Sequence, residues 1–293
     1  MTNLAWRGKR YRQVDVFADV PLAGNGLSVF WESGGLSTED MQALTIELRQ
    51  FESVFLEQTG TSNEFNARVF TMEEELDFAG HPVLGGAAVF HEKHGTMEVE
   101  TWTVQMQKST FKVRTERCGV GYFATMYQPP PVFGASSIPR LSVQELMNAI
   151  SLDVKDLCPG LPLELVSTGL PYVVVPLRSN IGKAQIVIGN LEEMLQRHGA
   201  KFLYLYDVDN SEGRTWDNKG KVEDIATGSA AGPVASYLCK HGRLSVGQEL
   251  TINQGRFVGR PSRLKAKVLG TQDNFGEIEV SGSIQMVSES ILD

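Results

Sequence analysis

Glu52 and His81 in the first half of the chain, and Asp224 with Ser229 in the second, are the residues whose types and spacing best suit proton chemistry. Glu52, Val54 and Leu56 alternate with Ser53, Phe55 and Glu57, so a strand over 52–58 places Glu52 on an apolar face at the strand's mouth. A carboxyl group so placed loses hydration, which favours its neutral form and suits it to exchange a proton near neutral pH. The competing reading is a solvated carboxylate capping a strand end. His81 heads a helix expected over 81–94, where the positive end of the helix dipole opposes protonation. A neutral imidazole there can donate or accept a hydrogen bond, or relay a proton. Its competing reading is a turn histidine bonded to local backbone.

His81, Asp224 and Ser229 each lie in or beside a glycine turn that runs into an amphipathic segment. The first is Phe78-Ala79-Gly80-His81-Pro82-Val83-Leu84-Gly85, the second Glu223-Asp224-Ile225-Ala226-Thr227-Gly228-Ser229. Such joins expose backbone N–H groups at the positive end of a helix, a seat for a carboxylate. Gly80, Gly228 and Ser229 are candidates to hold that carboxylate, and Asp224 to orient an amine or hydroxyl. Alternatively Thr227 or Ser229 is an ordinary N-cap and Asp224 its charge complement. Two matched turns in one chain point to a duplicated fold that grips one small acidic molecule.

The elements that must position these residues follow from periodicity. Strands are expected over 11–17, 27–31, 52–58, 66–72, 97–107, 110–116 and 120–126, with helices opening at Ser37 and at His81. Ser37 with Asp40 spells a capping box, and Met41, Leu44 and Leu48 form the buried stripe of the first helix. Residues 127–141 carry three consecutive prolines and read as a linker. Beyond it, helices are expected over 142–150, 191–198 and 229–241, and strands over 163–167, 172–177, 201–206, 249–253, 263–269 and 277–281. His91, His94, His198 and His241 lie near helix ends without a partner pattern and are expected at the surface. The order is strand, helix, strands, glycine turn, helix, strands in each half. The reading is α+β: two similar domains, 1–131 and 132–293, each a curled, mostly antiparallel sheet around a central helix. Whether the last strand crosses back to the first domain stays open.

Composition narrows the function classes. The net charge of −8 leaves no basic footprint for nucleic acid or an anionic membrane. Three scattered cysteines form neither a disulfide framework nor a metal pattern, and His81 has no His or Cys at ligand spacing, so no metal is expected. No apolar run reaches membrane-spanning length, and no apolar stretch follows the charged N-terminus, so a cytoplasmic protein is expected. Neither GxGxxG after a strand nor GxxxxGK[ST] occurs, and Thr227-Gly228-Ser229-Ala230-Ala231 is not a GxSxG elbow.

At these same residues the chain resembles the PhzF family of phenazine-biosynthesis-like isomerases, with the diaminopimelate epimerase-like fold. The resemblance runs through Val14-Asp15-Val16-Phe17 with Gly24-Asn25, Glu52-Ser53-Val54-Phe55, the Ala79-Gly80-His81-Pro82 turn, the 223–233 motif and Asn253-Gln254-Gly255. It implies that Glu52 is the proton-shuttling acid/base, that His81 and Asp224 assist it, and that Asn25, Gly80, Gly228 and Ser229 line the substrate site. It further implies no cofactor, a homodimer, and a small carboxylate-bearing substrate such as trans-2,3-dihydro-3-hydroxyanthranilate. One carboxyl group suffices for such a shift, because the acid it becomes can redeliver the proton on the same face. A two-carboxylate epimerase using Glu52 and Asp224, and a non-catalytic binding protein on the same fold, are the alternatives. Phe51 before Glu52, Gly26 after Asn25, and the short polar segment 214–219 depart from the family pattern. Phe51 either fills substrate space or points into the core.

Overall fold

The computed structural model describes residues 5–76, 80–134, 140–217 and 219–293. It separates into two compact units, 1–127 with 281–293, and 128–280.

The first unit is built from β1 (Arg10–Val16), β2 (Asn25–Phe30), α1 (Thr38–Leu48), β3 (Glu52–Gln58), β4 (Glu64–Thr71), β5 (Glu75–Leu76), α2 (His81–His94), β6 (Val99–Gln105), β7 (Thr110–Cys118) and β8 (Gly121–Gln128). The capping box forms: Ser37 Oγ accepts from the Asp40 N–H at 3.1 Å, and Asp40 Oδ2 from the Ser37 N–H at 3.0 Å. One face of the sheet packs Phe30, Phe55 and Phe70 on Leu36, Met41 and Leu44, with the Phe30 and Phe55 rings stacked at 4.7 Å. Each such side chain, fully buried, contributes about 1.5–3 kcal/mol.

The other face wraps α2, which touches β1, β2, β3, β4, β6 and β7. Two consecutive glycines let it approach. A Cβ on Gly85 would lie 2.6 Å from Leu27 Cδ2 and 2.9 Å from Val16 Cγ2, and one on Gly86 would lie 3.3 Å from Leu56 Cδ2. Every residue of α2 from His81 to His91 is buried.

His91 corrects the expectation of a surface histidine. It is fully buried and bridges the Met97 carbonyl at 2.8 Å and Thr115 Oγ1 at 2.7 Å. The carbonyl can only accept, so Nε2 carries the proton and Nδ1 accepts from Thr115. Burial pushes the His91 pKa down.

The second unit holds β9 (Val132–Phe133), α3 (Arg140–Ala149), β10 (Glu164–Ser167), β11 (Pro171–Leu177), α4 (Leu191–Gln196), β12 (Phe202–Asp207), β13 (Glu212–Arg214), α5 (Gly228–Lys240), β14 (Glu249–Gln254) and β15 (Ser262–Thr271). Val173, Val175 and Leu177 of β11 join Leu146, Met147, Leu191 and Leu195 in one core, while α5 packs on β10, β11 and β15. The strand period of two thus turns the remaining β11 residues, Tyr172 among them, toward α5.

Most neighbouring strands are antiparallel; β2–β3, β4–β6, β11–β12 and β13–β14 run parallel. The last strand, β16 (Asn274–Ile291), is 18 residues long and outruns the expected 277–281. Its residues from Ser281 onward belong to the first unit, where Ile284 to Ile291 pair with Val16 to Arg10 of β1. In that unit β1 has neighbours on both edges, β2 and β16, and β16 in turn neighbours β8, so the strands close around α2. The first compact unit runs to Tyr127 and takes in the chain's end, which has β1 and β8 as its neighbours.

Candidate active site

Three elements of the first unit begin at one rim, and each contributes its first residue: Asn25 from β2, Glu52 from β3 and His81 from α2. Register fixes this, since Val16 faces Asn25 across β1–β2 and Leu27 faces Glu52 across β2–β3. Gly24, at φ 65°, sets up the turn into Asn25: a Cβ there would lie 2.4 Å from the Val16 carbonyl oxygen. The loop before it is tied down where the Leu22 N–H donates to Asp15 Oδ2 at 2.6 Å.

The Glu52 side chain is only 12% exposed, so it is not a solvated strand cap. His81 Nε2 approaches Glu52 Oε2 to 3.4 Å, and Asn25 Nδ2 approaches His81 Nδ1 to 3.4 Å. Burial pushes the His81 pKa down from 6.5 to about 3. The imidazole is therefore neutral, and its contact with Glu52 is a dipole against a carboxyl group rather than an ion pair. With the Asn25 amide donating to Nδ1, the proton of the ring sits on Nε2, the nitrogen on the Glu52 side, without a hydrogen bond to the carboxyl group. Gly80 occupies the N-cap of α2 and supplies no side-chain cap. Phe78 and Ala79 of this turn lie outside the described residues. Phe51 is 38% exposed and does not belong to the core.

In the second unit the 224–229 turn leads into α5. Thr227 stands at the N-cap position but makes no side-chain cap; its hydroxyl donates instead to Asp224 Oδ2 at 2.5 Å. Ser229 Oγ likewise turns to the Tyr172 hydroxyl, 2.7 Å away. Both hydroxyls that would satisfy the helix end as N-caps are thus engaged elsewhere, which weakens the ordinary-cap reading. The Gly228 carbonyl accepts from Gln128 Nε2 at 3.0 Å, and Gln128 Oε1 accepts from Thr168 at 2.6 Å. Tyr172, Gln128 and Thr168 gave no local sequence signal; strand alternation places Tyr172 on the α5 face, and nothing in the sequence pairs it with Ser229.

The polar segment after β13 has a structural use. Arg214 grips the Glu223 carboxylate with Nε at 2.8 Å and Nη2 at 2.7 Å, and donates from Nη1 to the Ile181 and Ala184 carbonyls at 2.7 and 3.1 Å. Its guanidinium lies 4.5 Å from the Trp216 ring centre and 4.3 Å from that of Phe257. Asp217 Oδ1 closes the loop by accepting from the Lys221 and Val222 N–H groups at 2.6 and 3.0 Å. Asn218 lies outside the described residues. The three cysteines stand apart from both turns, and burial pushes the Cys239 thiol up to about 11. Among the described residues no three His, Cys, Asp or Glu side chains gather as a metal-binding group.

The profile of the PhzC-PhzF family, phenazine biosynthesis-like proteins, matches residues 14–290. The chain belongs to this family. It is 33% identical over 284 residues, 93% of this chain and 95% of the relative, to the trans-2,3-dihydro-3-hydroxyanthranilate isomerase of Pseudomonas chlororaphis. A solved Pseudomonas aeruginosa structure described as a predicted epimerase is 46% identical, with a TM-score of 0.90 over 97% of this chain and 99% of that one. The hydroxyproline epimerase of Agrobacterium vitis, at 11% identity and a TM-score of 0.68 over 98% and 92% of the two chains, shares the fold alone. The family and its named relatives make this PhzF-family chain an isomerase with the diaminopimelate epimerase-like fold.

Proposed function

We propose that this isomerase moves a proton between carbons of a small carboxylic acid, without a cofactor, using Glu52 as the single acid/base. The observation that carries the reading is Glu52 itself: a carboxyl group 12% exposed, on the apolar face of β3, within 3.4 Å of a buried histidine. A C–H proton conjugated to a carboxylate needs a base held close in a dry site, and the conjugate acid can redeliver it on the same face. His81, neutral and with Nε2 3.4 Å from Glu52 Oε2, sets the polarity around Glu52 as it ionises. Asp224, on the strength of the resemblance, orients the substrate's amine or hydroxyl, while Asn25, Gly80, Gly228 and Ser229 bind the substrate. The substrate class we assign is that of the named relatives, trans-2,3-dihydro-3-hydroxyanthranilate and close analogues. The enzyme is further taken to be a cytoplasmic homodimer; among the described residues no helix is long and apolar enough to cross a membrane.

The test is proton NMR in D₂O with purified protein and trans-2,3-dihydro-3-hydroxyanthranilate, wild type against Glu52→Gln. Conversion that disappears in Glu52→Gln supports the assignment, and undiminished conversion rules it out. A second reading, epimerisation with Glu52 and Asp224 as paired carboxylates, draws on the 46% identical relative described as a predicted epimerase. It requires deuterium at a single stereocentre together with loss of its configuration, across a panel of small amino and hydroxy acids.

A further inference from the structure

Behind Asp224 lies a buried polar chain that none of these assignments uses. Gln254, the last residue of β14, is 1% exposed, and Tyr204 on β12 is fully buried. Two backbone groups fix which way the Gln254 amide points. Its Nε2 faces the Asp224 carbonyl at 2.9 Å, an oxygen that can only accept. Its Oε1 faces the Thr227 N–H at 3.2 Å, which can only donate. Oε1 therefore accepts from the Tyr204 hydroxyl at 2.8 Å, and Nε2 donates its other proton to Thr227 Oγ1 at 2.9 Å. Thr227 Oγ1, with one lone pair taken by Gln254, turns its own proton onward, and the short contact at 2.5 Å brings it to Asp224 Oδ2. The side-chain-to-side-chain hydrogen bonds thus point one way, from Tyr204 through Gln254 and Thr227 to Asp224.

The surrounding backbone makes room for this chain. A Cβ on Gly213 would lie 1.9 Å from the Tyr204 hydroxyl oxygen. Gly255, at φ +83°, brings the turn after Gln254 against the site loop, where a Cβ would lie 2.6 Å from the Ile225 carbonyl oxygen. Burial pushes the Tyr204 phenol well above its ordinary pKa, so it stays a proton donor at the head of the chain. The neighbouring acid, Glu223, is turned away into the Arg214 fork.

We propose that Gln254, braced by Tyr204, is a positioning residue that directs the Thr227 hydroxyl toward Asp224, favouring the ionised carboxylate in one orientation. This rests on the assignment of Asp224 to the substrate site and adds how the protein sets its charge state. Neither Gln254 nor Tyr204 reaches the reacting atoms in this account; on the Asp224 carboxylate both act through Thr227. The polarity also explains why the residue at the N-cap of α5 does not cap it.

The test is a carboxyl-¹³C titration of the full-length protein labelled at aspartate, with the Asp224 resonance identified by its loss in Asp224→Asn. Thr227→Val, which keeps the shape and removes the hydroxyl, shifts the Asp224 midpoint to higher pH by about one unit, the size expected for one hydrogen bond to a charged group. Thr227→Ser keeps the wild-type midpoint. Gln254→Leu shifts it in the same direction as Thr227→Val, and the double variant adds little, because both break one chain. An unmoved midpoint in Thr227→Val, or shifts that add in full, overturns the relay. Should Gln254→Leu not fold, the contrast between Thr227→Val and Thr227→Ser decides alone. The companion measurement, turnover of trans-2,3-dihydro-3-hydroxyanthranilate by Asp224→Asn, separates the two claims. Undiminished turnover removes Asp224 from the catalytic assignment, whereas an unmoved titration removes the chain of hydrogen bonds.

Discussion

α2 and α5 are both long buried helices led in by a glycine turn, yet the protein seats them by opposite means. α2 lies in an apolar sleeve, its two glycines pressed on Val16, Leu27, Val54 and Leu56. α5 is held at its start by polar side chains: Gln128 reaches the Gly228 carbonyl, Tyr172 meets Ser229, and Gln254 laces the Asp224–Thr227 loop. The acids beside them inherit these surroundings. Glu52 has an apolar face and a neutral imidazole, conditions under which its proton can come and go. Asp224 meets the Thr227 hydroxyl at 2.5 Å, and a hydrogen bond donated to a carboxylate favours the charged form. On the roles proposed above, one architecture, used twice, prepares one carboxyl group for exchange and the other for permanence.

The sharpest way to break this contrast is to remove both charges in turn. Glu52→Gln lowers kcat by roughly 10³-fold or more, within the range for losing a general acid/base, while KM changes little. Asp224→Asn, which keeps the shape but loses the anion, costs about 10-fold to 10²-fold, borne partly by KM. Steady-state kinetics on a validated substrate read both numbers. Equal losses would mean that the two carboxyl groups share the proton chemistry, as the epimerase reading requires.

A second comparison sets the polar scaffold of the second unit against an ion pair in the first. The Arg214 and Glu223 side chains are 7% and 9% exposed, whereas those of Arg12 and Glu92 are 19% and 24% exposed. Arg214→Ala leaves Glu223 buried and uncompensated, and two backbone carbonyls without a donor, so unfolding in urea shows a loss of about 3–5 kcal/mol. Arg12→Ala, at a wetter pair, loses about 1 kcal/mol or less. Similar losses would show that the 214–223 loop is not held by its arginine.

What the sequence makes legible is what neighbours in sequence decide. The alternation that starts at Glu52, the capping box at Ser37 and the glycine before His81 are local signals, and the elements begin where those signals stand. Gln254 was visible only as part of a resemblance; its work depends on Tyr204 and Thr227, which are 50 and 27 positions away in the chain. Thr227 has the residue type of an N-cap, and only the donors and acceptors arranged around it turn its hydroxyl elsewhere. His91 misleads for a related reason. Its place in the last turns of a helix suggests water, but strands on every side enclose that helix, and a carbonyl and a threonine replace the solvent. The length of β16 was hidden because its pairing edges, β1 and β8, lie far earlier in the chain.

The helix seats themselves can be tested by adding one methyl group to each. Gly232→Ala puts a Cβ 2.1 Å from Gln128 Oε1 and 2.9 Å from Thr168 Oγ1, which displaces a buried amide from its partners and costs about 1–3 kcal/mol. Gly85→Ala meets only the ends of aliphatic side chains; overpacking of about 1–3 kcal/mol is offset by the roughly 1 kcal/mol that alanine gains over glycine in a helix. Denaturant unfolding of the two variants therefore ranks Gly232→Ala as the more damaging. The reverse ranking would mean that the apolar sleeve around α2 is the tighter fit.

The last effect, spread over pH, concerns the proton that His81 does not take. In the unfolded chain the imidazole titrates near 6.5, and in the folded protein burial holds it down to about 3. Between those values the unfolded state binds a proton that the native state refuses, so stability falls as pH drops through 6.5. The loss amounts to roughly 1 kcal/mol for each pH unit below that point. His81→Asn has no such group, so its unfolding free energy declines less steeply between pH 7 and pH 5 than that of the wild type, whatever its absolute stability. The difference between the two slopes isolates His81 from the carboxylates, which titrate in both proteins. Parallel slopes would mean that His81 takes up its proton in the native state too, and that the contact with Glu52 becomes an ion pair. Glu52 would then be held ionised by a neighbouring charge, as Asp224 is held by a hydroxyl, and the two acids would no longer differ in kind.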